Sequence, residues 1–134
     1  MEWVLLIGRF IFGGFFIFGG LNHFMNLGMM AEYARSKGTP APKVAVAGTG
    51  ALLLAGGLSV VLGIVPVIGL ISMVVFLVPV SLVMHDFWAV PEEQKMDQQI
   101  HFMKNVALAG AALALMYGAP SWPLALWALK LPYE

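Results

Sequence analysis

Three histidines, His23, His85 and His101, each have polar or aromatic company at a usable spacing, and histidine is the residue type suited to moving a proton near neutral pH. His101 follows Asp97 by four residues and precedes Asn105 by four, so one helical face would carry a carboxylate, an imidazole and an amide, with Lys104 beside them. A carboxylate behind an imidazole fixes its tautomer and raises its basicity, as a proton relay or a metal ligand requires. An ordinary interfacial histidine beside a solvated carboxylate would read the same. The run His85-Asp86-Phe87-Trp88 sets an imidazole and a carboxylate beside two large aromatic surfaces, the combination that a quinone headgroup needs. Trp88 as a membrane-belt residue and His85 as a cation at a helix C-terminus account for it equally.

Other chemistries find less support. A metal site would need His23, His85 and His101 to close on one ion with Asp86 or the sulfurs of Met25, Met29 and Met30, and no pair has dedicated ligand spacing, so no metal is expected. Haem held by two histidines has no attachment motif. Cysteine is absent, and Ser59, Ser72 and Ser81 sit in apolar runs where hydroxyls bond their own helix, so no nucleophile is assigned. The net charge is zero with the basic residues scattered singly, which gives nucleic-acid binding no basis.

The elements that must position these residues are apolar. Stretches 3–21, 44–65, 67–84 and 102–117 fill most of the chain; the hydrophobic share is 60% and the charged share 10%, with a mean hydropathy of +0.88. A bilayer core about 30 Å thick takes roughly 20 helical residues to cross, and peptide groups in lipid must bond within their own helix. The fold class expected is all-α: one transmembrane domain, 1–134, forming a four-helix bundle with helices at about 3–23, 43–64, 66–88 and 91–118. Met25, Met29 and Tyr33 recur opposite Glu32 and Arg35, which predicts a short interfacial helix after the first span. Trp122, Trp127, Lys130 and Tyr133 predict an interfacial C-terminal tail. Glu2, Arg9 and the lack of a small-x-small cleavage site mark the first stretch as retained rather than a signal peptide.

Four crossings put the loops 24–42 and 86–99 on one face and the uncharged turn 63–66 on the other. All three histidines then converge on the loop-bearing face. His23, His85, His101 and Lys104 are expected to line one polar pocket there, with Asp86, Trp88 and Asn105 completing the ligand-binding set. Lysines and arginines favour that face, which orients it to the cytoplasm. Ala47, Ala51, Ala55 and Ser59 on the second span, and Gly110 and Ala114 on the fourth, form small-residue stripes expected to carry helix packing. Arg9 lies about two turns inside the first span with no acidic residue in any apolar stretch. It must snorkel, meet helix-end carbonyls, or contact a phosphate, a ligand or another subunit.

The ordered pieces Gly8-Arg9, Gly19-Gly20-Leu21-Asn22-His23-Phe24, Tyr33-Ala34-Arg35-Ser36-Lys37-Gly38-Thr39-Pro40-Ala41-Pro42, Gly56-Gly57, Met84-His85-Asp86-Phe87-Trp88 and Phe102-Met103-Lys104-Asn105 resemble the DoxX-like family of small bacterial membrane proteins. The resemblance spans nearly the whole chain. It implies a four-helix membrane bundle, often described as an oxidoreductase through its relation to the membrane subunit of thiosulfate:quinone oxidoreductase, and associated with redox complexes and membrane-protein assembly. Many relatives carry a glutamate shortly before the paired glycine, a natural partner for the first-helix arginine. Here that stretch reads Thr49-Gly50-Ala51-Leu52, so Arg9 lacks that counter-ion.

The leading expectation is a non-catalytic accessory subunit of a larger electron-transfer or other membrane assembly, without an intrinsic cofactor. One alternative is a membrane oxidoreductase subunit that binds a quinone in the pocket. The other is a lipid- or membrane-protein-handling factor. Expected partners are membrane lipid and other membrane-protein subunits or a second copy of the chain, in the bacterial cytoplasmic (inner) membrane.

Overall fold

The computed structural model describes residues 1–126. Trp127, Lys130 and Tyr133 of the expected tail lie outside the described residues. Five α-helices follow one another: α1 (Glu2–Met25), α2 (Leu27–Ser36), α3 (Pro42–Leu62), α4 (Pro66–Met84) and α5 (Glu92–Gly118), with a 3-10 turn at Ala119–Ser121. The long helices α1, α3, α4 and α5 are each long and apolar enough to cross a membrane. The short α2 is the amphipathic piece between the first two spans. It buries Ala31 and Ala34 with Val46 of α3 and leaves Glu32 and Arg35 exposed.

Proline and glycine set the helix ends. Pro42 and Pro66 open α3 and α4, where a missing N–H costs nothing. Gly63 caps α3 in the left-handed region at φ 67°. Val65 is also left-handed at φ 42°, an uncommon state for a β-branched residue. The Ser59 hydroxyl steadies this turn by donating to the Ile64 carbonyl at 2.6 Å.

Residue 88 was expected to lie on the third span, but α4 stops at Met84. His85 is its C-cap, and the chain turns through Phe87 and Ala89, whose N–H groups donate to the His85 and Asp86 carbonyls. Two contacts from the α2 region explain the stop. The Tyr33 hydroxyl donates to the Met84 carbonyl at 2.7 Å, and the Lys37 ammonium pairs with the Asp86 carboxylate.

The helices pack in the order α1, α3, α4, α5, and α2 lies against α3. The stripe expected to carry packing is displaced by one face. Ala51 and Ala55 are exposed and Ala47 is only partly covered. The α1–α3 contact runs instead through glycines seven residues apart on antiparallel helices, Gly13 opposite Gly57 and Gly20 opposite Gly50. A Cβ on Gly13 would stand 2.8 Å from the Gly57 carbonyl oxygen, and one on Gly20 would stand 2.8 Å from that of Gly50. Alanine cannot approach so closely, so glycine decides the contact face. Of the expected stripe, Ser59 does meet a neighbour, because a Cβ on Gly69 of α4 would lie 2.5 Å from its hydroxyl. On α5, Gly110 and Ala114 are exposed. Ala112 carries that helix into a core with Phe16, Leu53, Val60, Leu70, Met73 and Leu77.

Candidate functional site

The loop-bearing half of the bundle holds a half-open cavity of about 850 Å³. Its walls are Phe15, Phe16 and Gly19 of α1, Val46 and Leu53 of α3, and Phe76, Leu77 and Val80 of α4. Met30, Tyr33 and Ala34 of α2 close one side. No extended backbone packing joins α1 to α5 among the described residues. Lys104 of α5 reaches across to α1, its Nζ 5.8 Å from the Phe15 ring centroid.

A few polar groups punctuate this apolar lining: His23, Thr39, Thr49, His85, Lys104 and Asn105. His23 lies against Phe76 at 6.0 Å between ring centroids, and its Nδ1 donates to the Gly19 carbonyl at 2.8 Å. The His85 Nδ1 is 2.9 Å from Gln98 Oε1, and its ring stacks on His101 at 5.0 Å and 20° between planes. Burial pushes the His85 pKa below its usual value. The charges of His101 and Lys104 add to this, against a raising hydrogen bond from Gln98 and the Asp97 charge. Asn105 is buried, and the Thr39 hydroxyl is buried without a hydrogen-bond partner among the described residues.

The expected ligand set therefore divides. His23, His85, Lys104 and Asn105 line the cavity. His101 stands behind His85 and 3.4 Å from Lys104 Nζ. Its contact with Asp97 is 3.8 Å, too long for the carboxylate to orient the ring. Asp86 is taken by Lys37, and Trp88 packs edge-on against Phe87 and Phe102. Neither lines the cavity, because the chain leaves α4 before reaching them. The lining is also far more apolar than the polar pocket expected. No group of three or more His, Asp or Glu side chains among the described residues could hold a metal ion.

Arg9 lies at the opposite end of the bundle and is fully buried, at 0% exposure. Its Nε donates to the Val60 carbonyl at 3.2 Å and Nη2 to the Val61 carbonyl at 2.9 Å, in the last turn of α3. Nη1 donates to the Pro123 carbonyl at 2.5 Å, and the guanidinium carbon lies 4.8 Å from the Trp122 ring centroid. Of the expected fates, this is the one with helix-end carbonyls; the cation meets the negative end of the α3 dipole.

The DoxX family model matches residues 4–86, more than half of the sequence and the whole run from Arg9 to Asp86. The chain belongs to the DoxX family. It is a multi-pass membrane protein with four candidate spans. No curated protein matches the chain. No solved structure matches it. The DoxX match takes in three of the four spans and His23 and His85, while Lys104 and Asn105 lie beyond it on α5.

Reading the residues by type overlooked Thr39 and Thr49, which line the cavity of this DoxX chain, and the role of Tyr33 and Lys37 in holding α2 to the end of α4. Thr39 stands in the Lys-Gly-x-Pro-x-Pro loop, so the signal was present as part of a motif. Its hydroxyl acquires meaning only once the loop is folded against α3 and α4.

Proposed function

We propose that this DoxX protein is an accessory membrane subunit that binds a quinone-like amphiphile and serves a larger redox assembly in the bacterial cytoplasmic membrane. The observation that carries the reading is the cavity. A large apolar chamber with a few convergent polar groups suits a molecule with a hydrocarbon tail and a compact polar head. Lys104 and His85 would engage the head, one by charge and the other by a hydrogen bond. The tail would lie along Phe15, Phe16 and Leu53. The open side of the cavity would admit such a molecule. The excess of lysine and arginine on the loop-bearing face would orient the cavity toward the cytoplasmic leaflet. The chain has no cysteine and no cofactor motif of its own, so electrons would come from partner subunits.

The test is extraction of the full chain in mild detergent, followed by chromatography of the bound lipids. The expected result is a quinone retained by the protein and lost from Thr49→Phe, which fills the chamber from α3. If no quinone is retained, or if Thr49→Phe retains as much as the parent protein, the reading falls.

A further inference from the structure

His23 and His85 commit the same ring nitrogen. His23 Nδ1 lies 2.8 Å from the Gly19 carbonyl oxygen, and His85 Nδ1 lies 2.9 Å from Gln98 Oε1. Both oxygens can only accept, so each Nδ1 carries the proton. In a neutral imidazole the other nitrogen, Nε2, is then a bare acceptor. Both residues line the cavity, and neither Nε2 has a hydrogen-bond partner among the described residues.

Resting on the amphiphile reading of the cavity, we infer that it selects the reduced, hydroxylated form of a quinone-like headgroup over the oxidised, carbonyl form. A hydroquinone hydroxyl can donate to Nε2 of His23 or His85. A quinone carbonyl has no hydrogen to donate and would face a lone pair, so binding it leaves that acceptor without a hydrogen bond in the complex. Lys104 does not reverse the preference. A hydroxyl oxygen also accepts, so one hydroxyl can satisfy an imidazole and the ammonium together, while a carbonyl satisfies the ammonium alone. Asn105 and Thr39 can each donate and accept, and they discriminate neither form.

The preference depends on neutral imidazoles, and burial of His85 holds that ring toward neutrality. The charged groups facing His85 from α5 are Asp97, His101 and Lys104. On the α2 side stand Tyr33 and the mutually neutralising Lys37–Asp86 pair, with Glu32 and Arg35 paired to each other on the exposed face. The spans α1, α3 and α4 add no further charged side chain to the cavity lining. Acid protonates Nε2 and turns it into a donor, which erases the discrimination.

The experiment titrates the full chain in lipid nanodiscs, under anaerobic conditions, with a decyl-substituted benzoquinone and with its hydroquinone. Above neutral pH the hydroquinone is expected to bind at least about tenfold more tightly, the effect of keeping rather than losing one buried hydrogen bond. The ratio should shrink as pH falls below the ordinary histidine value of about 6.5, and His85, held toward neutrality by burial, should keep its share of the preference to lower pH. His23→Phe and His85→Phe should each reduce the ratio while preserving binding of the tail. If the wild-type chain binds both forms equally above neutral pH, the inference is overturned and the amphiphile reading stands. If neither form binds, both fail together. A ratio that does not change at all from above neutral pH down to about pH 4 also counts against the imidazoles as its source, and this readout needs no variant to fold.

Discussion

Arg9 Nη1 donates to the carbonyl oxygen of Pro123 at 2.5 Å, fastening the first helix to the segment that follows the last one. The same guanidinium caps Val60 and Val61 at the end of α3. One side chain thus ties together three parts of the chain that are far apart in sequence. Arg9→Leu would free all three carbonyls in a buried site, at a cost of about 3 kcal/mol. Arg9→Lys keeps the charge but lacks the planar fork, so it should recover only part of that. Thermal unfolding in detergent should rank the parent above Arg9→Lys and Arg9→Lys above Arg9→Leu. Equal melting of all three would mean that the cap contributes nothing.

The glycine contacts make a paired prediction. A Cβ on Gly57 would lie 2.8 Å from the Gly13 carbonyl oxygen and 2.7 Å from the Ile17 side chain. Gly57→Ala should therefore destabilise the protein by about 1–3 kcal/mol, the usual cost of overpacking. Ala51→Leu, on the exposed face of the same helix, should leave melting unchanged within about 0.5 kcal/mol. The reverse order would return the contact to the alanine stripe.

Acid should weaken the fold through His85. Its folded pKa lies below the ordinary 6.5, so between the two values the unfolded chain binds more protons and stability rises with pH. Stability is therefore full above about pH 6.5 and declines as pH falls toward the folded value. His85→Gln should flatten this part of the pH dependence relative to the parent, measured as melting temperature across that range. An unchanged slope in the variant would assign the acid sensitivity to other groups.

The Lys37–Asp86 pair should hold α2 over the cavity. Its side chains are 16% and 21% exposed, so the pair is poorly hydrated. Lys37→Ala and Asp86→Ala, combined in a double-mutant cycle, should show a coupling of about 1–2 kcal/mol. Either variant should also speed amide hydrogen exchange in α2 more than in α3. Uniform exchange rates in both helices would show that α2 is held by Ala31 and Ala34 alone.

Local physics made much of this protein legible before any folding. Length and hydropathy of the apolar stretches identify the spans, and Pro42, Pro66 and Gly63 stand at the ends of α3 and α4 because ring closure and the missing Cβ act on the backbone where they occur. The amphipathic α2 follows from its own pattern. The gathering of His23, His85 and His101 toward one face follows from counting crossings.

Which face of each helix meets which neighbour was not legible, because in these spans nearly every face is apolar and the alanine and glycine rows offer similar stripes. Only the folded bundle decides in favour of Gly13, Gly20, Gly50 and Gly57, since the choice depends on how closely two backbones can approach across sequence-distant helices. Arg9 has the same dependence: the sequence limits it to a few escapes from lipid, and the carbonyls it reaches are set by where α3 ends and how the chain returns after α5. The cavity is likewise a tertiary fact. Its lining comes from five helices and the loop after α2, and a void is a property of how side chains fail to meet, which no single segment encodes.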